Sequence, residues 1–114
     1  MAVTKTFRFK GPPMPPICDF CSAPNPGWKY PARSFIGYED CGIAGESVGD
    51  WAACEECYLL IAAGDRAGLT ERSAETLIAL RSELAEIREE LTAELAVLHE
   101  RFFENRIGEP SPIN

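Results

Sequence analysis

The sequence predicts an α+β chain, in which a small module of short β-hairpins and one helix precedes a long C-terminal α-helix with coiled-coil spacing. Three observations carry this. Two Cys-x-x-Cys pairs, Cys18-Asp19-Phe20-Cys21 and Cys54-Glu55-Glu56-Cys57, bracket residues 22–53. The N-terminal half is rich in Gly, Pro and aromatic residues, the punctuation of short strands and turns. From Glu71 to Asn105 there is no Gly or Pro, and Ala, Leu, Glu and Arg dominate, all strong helix formers. The expected parts are a module over 1–66, a long amphipathic helix over 67–107 and a disordered tail over 108–114.

Two residues between thiols let both sulfurs of a pair grip one metal ion. Four thiolates complete the closed tetrahedral shell that structural Zn²⁺ prefers. Cys18, Cys21, Cys54 and Cys57 are therefore the expected zinc ligands. A closed shell leaves no position for water or substrate, so the ion is expected to build a fold and not to catalyse. A chain of 114 residues has little core to bury, which makes a metal staple useful. The N-terminus carries no long apolar run, so the expectation is a cytoplasmic protein with reduced cysteines and no membrane span.

In residues 1–10, Val3, Phe7 and Phe9, with Lys5 the exception on their face, alternate with Thr4, Thr6, Arg8 and Lys10, the period of a half-buried strand. Pro12, Pro13, Pro15 and Pro16 make a stiff polyproline II connector. Trp28 to Gly37 reads as two short strands around Pro31, and residues 37–49 as irregular chain. A helix is expected over roughly 51–63, capped by Ser47 or Asp50 and stopped at Gly64. Cys54 and Cys57 then lie at i and i+3 near its positive end, which favours thiolates. Residues 65–69 read as a connector, and Thr70, or alternatively Ser73, as the cap of the long helix.

This order, a turn-borne Cys-x-x-Cys, a hairpin and a helix bearing the second pair, resembles the treble-clef zinc fingers, over residues 17 to about 64. The resemblance implies that Cys18, Cys21, Cys54 and Cys57 fill the family's four ligand positions. A zinc ribbon, with Tyr58-Leu59-Leu60-Ile61 as strand, is the competing reading. Treble-clef nucleases need a His base and further metal-binding His or Asn residues, whereas the single histidine here is His99, expected as a partly exposed helix residue. No catalytic set is found and no enzyme is expected. Cys41 reads as a small apolar residue, and less readily as a redox sensor or exchanged ligand.

The formal charge is −7, and four thiolates with one Zn²⁺ lower it by a further two. Nucleic acid is not an expected partner of so acidic a chain. The alternative, a nucleic-acid-binding or transcription-associated finger, would rest on Lys5, Arg8, Lys10, Lys29 and Arg33. In the long helix, Leu77, Leu80, Leu84, Ile87 and Leu91 follow a/d spacing, and the stripe continues through Leu95, Leu98 and Phe102. Glu83 and Glu90 fall at g, Arg81 and Arg88 at e, which favours a parallel homodimer; the alternative is a monomer whose long helix folds back over Phe20, Trp28, Phe35 and Trp51. The stripe Glu83, Glu86, Glu90, Glu94 could instead meet a basic partner. The function expected is that of a small zinc-binding adaptor or regulatory protein acting through protein–protein interaction.

Overall fold

The computed structural model describes residues 5–8, 16–40 and 43–113. Val3, Phe9, Lys10, the polyproline segment 11–15 and Cys41 lie outside them. Among the described residues the architecture is mixed α+β, with two three-stranded sheets and a helical hairpin. Strands are β1 (Lys5–Arg8), β2 (Trp28–Tyr30), β3 (Phe35–Asp40), β4 (Ile43–Ser47), β5 (Trp51–Ala53) and β6 (Ser111–Pro112). Helices are α1 (Glu55–Ala62), α2 (Arg66–Leu80) and α3 (Arg88–Asn105), with a 3₁₀ stretch over Ser82–Ile87 between the last two.

One sheet has the order β1-β4-β3, with β1 parallel to β4 and β3 antiparallel to it. The other has the order β5-β2-β6, antiparallel throughout. The expected hairpin around Pro31 is therefore corrected. The strands β2 and β3 form, but they belong to different sheets. Residues 37–49, expected as irregular, supply most of the β3–β4 hairpin. That hairpin is an insertion between β2 and its true partner, β5, and no local signal in the chain announces so distant a pairing.

The helix starts are corrected as well. Residues 51–53 are strand, and α1 is capped by Cys54, whose Sγ accepts from the Cys57 N–H. Ser47 instead accepts a 2.7 Å hydrogen bond from the Trp51 indole, and Asp50 accepts one from the Ala32 N–H. The stop at Gly64 holds: its φ is +72°, a conformation glycine adopts freely. Asp65, not Thr70 or Ser73, caps α2 by accepting from the Gly68 N–H. A Cβ at Gly68 would run into that carboxylate. Thr70 and Ser73 are buried inside the helix.

The single long helix is replaced by two antiparallel ones. The chain leaves helical geometry at Arg81, with φ −139° and ψ 91°. Three contacts give the register: Arg66 with Glu100, Thr70 with His99 and Glu75 with Arg88. Propensity alone favours continuation, since the segment lacks Gly and Pro. Packing overrides it. A straight helix would carry Phe102 about 50 Å from Leu69 at 1.5 Å per residue. Folded back, Phe102 and Leu69 are both fully buried in one core.

That core is aromatic. Phe102 lies 5.1 Å from Phe20, 5.0 Å from Trp51 and 5.7 Å from Tyr30, centroid to centroid. Most of these pairs are edge-on or tilted, the arrangements aromatic quadrupoles favour. The C-terminal residues, expected as a disordered tail, pair as β6 with the free edge of β2. The pairing starts early: Arg33 N–H donates to the Asn105 carbonyl and Ile107 N–H to that of Pro31, both at 2.9 Å. Pro112 is acceptable there because β6 is an edge strand. Among the described residues, no helix is long and apolar enough to cross a membrane.

Candidate metal centre

Each cysteine pair is shaped by its own local rule. The first sits in a tight turn closed by two backbone bonds, Cys18 N–H to the Ala23 carbonyl at 2.8 Å and Ser22 N–H to the Cys18 carbonyl at 2.9 Å. Ser22 takes a left-handed φ of 68° to complete it. The Phe20 N–H points at Cys18 Sγ, 3.4 Å away. The second pair uses a helix start. Cys54 has the extended backbone of a cap residue. Its sulfur takes the place of the usual Ser or Asp oxygen in accepting from Cys57 N–H at 3.5 Å.

Asp19 then fastens the two pairs together. Its N–H donates to the Ala52 carbonyl at 2.8 Å, and its carboxylate accepts from the Ala52 N–H at 2.6 Å. This clasp holds the cysteine turn against β5, two residues before Cys54. Between them lies Ala53, fully buried. The result brings Cys18, Cys21, Cys54 and Cys57 together, with all four Sγ atoms within 4.8 Å of one another. All four are free thiols in the buried interior. Cys21 and Cys54 approach to 3.6 Å, well beyond the ~2.05 Å of a disulfide.

The donor set fits a tetrahedral thiophilic ion. A Zn–S bond of about 2.3 Å implies sulfurs roughly 3.8 Å apart along each tetrahedron edge, close to the separations seen. The electrostatics point the same way. Hydrogen bonds from Cys18 and then Cys57 pull the Cys21 thiol down to about 2. The bond to Cys21 pushes Cys18 up to about 12. Bonds to Cys18 and Cys21, with burial, raise Cys57 as well. A divalent cation would let all four ionise together.

Two residues at the site carry no sequence signal of their own. Asp19 is one. The other is Arg72 on α2, whose Nη2 lies 3.7 Å from Cys54 Sγ and whose Nη1 lies 2.6 Å from Glu56 Oε2. Burial opposes its charge, but the Cys54 and Cys57 sulfurs hold its pKa above the ordinary value. Contacts between elements that far apart in sequence leave no spacing to read.

His99 is corrected. It is only 2% exposed, with its ring 5.5 Å from that of Phe20 and its Nδ1 3.4 Å from Thr70 Oγ1. Burial lowers its pKa to about 4, against a small opposing pull from Glu100. The zinc-ribbon reading fails because residues 58–61 are helix. The basic residues are not gathered into one described patch. Lys29 is exposed on β2, Arg33 donates to the Glu104 carbonyl, and Lys5 and Arg8 lie on β1 in the other sheet. No protein-family model matches the chain, and no curated protein or solved structure matches it either.

Proposed function

We propose that Cys18, Cys21, Cys54 and Cys57 hold one structural Zn²⁺, and that the chain is a treble-clef-like adaptor working by protein–protein contact. The observation that carries the metal reading is the convergence of four buried sulfurs from two separate elements. The treble-clef reading is supported by the order of turn, β2–β5 pair and helix α1, with the β3–β4 hairpin inserted. When bound, the ion would supply a cross-link between the turn and the helix start. The chain's own residues would do the rest: Asp19 aligns the pairs, and backbone N–H groups of Phe20 and Cys57 spread the thiolate charge. A reducing compartment such as the cytoplasm suits four free thiols.

The interaction reading is supported by the far end of the helical hairpin, where Leu80 is 69% and Ile87 42% exposed. Glu86, Glu89, Glu90 and Glu94 follow along the same segment. A partner with apolar anchors and a basic rim complements this end. A second copy of the chain is a weaker candidate, because the turn at Arg81 divides the heptad seam that a straight parallel coiled coil would use. Elemental analysis of the purified full chain tests the central reading. One zinc per chain is expected, with loss of folding when a chelator removes it. A metal-free chain that is fully folded would overturn it.

A further inference from the structure

We propose that Arg72 is the counter-charge of the metal centre, and that its contact with Cys54 makes metal retention depend on the docked α2 helix. This rests on the zinc reading above. Four thiolates and a dication carry a net charge of two negative units, in a site whose four cysteines are buried. Buried charge needs a partner. Among the described residues, Arg72 is the cation whose side chain is seen against these sulfurs.

The posture of Arg72 argues against a simple surface ion pair. Glu56, its carboxylate partner, is 68% exposed, so the two could pair out in solvent with every guanidinium nitrogen hydrated. Instead the side chain lies inward, and its Nε is buried without a hydrogen-bond partner among the described residues. A stranded donor is unfavourable, so an inward attraction must offset it. Sulfur charge is the attraction on that side. The N–H groups of Phe20 and Cys57 also point at sulfurs, but neither carries a formal charge. Arg72 also brings a charged group of α2 to the centre, an element that supplies none of the four ligands.

The test uses the full-length zinc-loaded protein and the rate of zinc transfer to a chromophoric chelator in excess. Arg72→Gln should release zinc roughly tenfold to a hundredfold faster, the range typical when an outer partner of a metal ligand is lost. Arg72→Lys keeps the charge without the planar fork and should fall between. Arg66→Gln removes an exposed ion pair on the same helix and should leave the rate unchanged. Loading with Co²⁺ gives an independent readout, because the sulfur-to-metal charge-transfer band should move to lower energy in Arg72→Gln and not in Arg66→Gln. Release by Arg72→Gln within twofold of wild type, or equal acceleration by Arg66→Gln, would overturn the proposal. If Arg72→Gln does not fold, wild-type release and an unmoved cobalt band in Arg72→Lys overturn the role of the guanidinium contact. A wild type that binds no zinc would sink the metal reading itself, whereas a zinc-binding wild type with an indifferent Arg72 would sink this proposal alone.

Discussion

Residues 16–63 converge on four sulfurs, whereas residues 66–105 have no such anchor and converge on apolar side chains borrowed from the first region. Leu69 and Phe102 from the hairpin are buried against Phe20, Tyr30 and Trp51 from the module. The dependence is unequal. The module has its ligands within itself, while the hairpin owes its fold-back to a surface it does not own. At the far end of the hairpin, away from that surface, no residue of the 3₁₀ stretch is buried.

The largest expected effect follows from that inequality. Cys57→Ser should release the metal and unfold the module, because structural zinc contributes folding energy on the order of 10–16 kcal/mol in small fingers. The hairpin should then open too, having lost the aromatic face it packs on. Phe102→Ala should act in one direction only. It should destabilise the chain by about 3–5 kcal/mol as a large buried aromatic is truncated, loosening α3 while α2 stays docked through Leu69 and Arg72 and the module keeps its zinc. Amide hydrogen exchange read separately over 16–63 and 66–105, together with zinc content, checks both. A Cys57→Ser chain whose hairpin stays protected would break the comparison.

A smaller effect concerns pH. His99 sits where α3 meets the module, near Phe20, Thr70 and Glu100, and its pKa is lowered from 6.5 to about 4. The unfolded chain therefore binds the proton more readily, and stability rises with pH across this range. The contribution is fully present above about pH 6.5 and is lost as pH falls through about 4. The shift corresponds to about 3 kcal/mol at most. Acid also protonates metal-binding thiolates, so the informative quantity is a difference. Denaturant unfolding of wild type and His99→Leu, measured from pH 7 to 5, should show a shallower pH dependence for the variant. Parallel curves would mean that His99 does not titrate across folding.

What can be read from the chain divides along the same line. The four cysteines are legible because their spacing is local, and so is the stop at Gly64, which needs only a positive φ. Helix packing onto the aromatics of the module is open to a reading of the chain, but the break at Arg81 is not, because nothing in residues 71–105 forbids a straight helix. The turn at Arg81 is imposed by where Phe102 can be buried. His99 reads as a surface residue for the same reason: its burial depends on Phe20, a residue of the cysteine turn. The pairing of β6 with β2 is equally remote, and Gly108 and the two prolines of the tail read locally as breakers. Arg72 is the sharpest case, one of two arginines in a charged helix, with a cysteine sulfur of another element as its partner.

The smallest effect on stability should come at the hairpin's outer end, and it separates folding from function. Leu80 is 69% exposed, so Leu80→Glu removes little buried area. Its effect on folding should stay within about 0.5 kcal/mol, the range usual for surface substitutions. Zinc content should not change, since no ligand is near in sequence or shares its element. If this end is the partner surface, however, the added carboxylate meets the apolar anchor of the partner and should weaken association by at least tenfold. A double variant, Leu80→Glu with Ile87→Glu, should weaken it further. Light scattering across concentration reads self-association, and titration with an amphipathic basic helical peptide reads binding of a partner of the complementary chemistry. An undiminished association in the double variant would move the partner surface elsewhere on the chain, with the metal-centred module left intact as its scaffold.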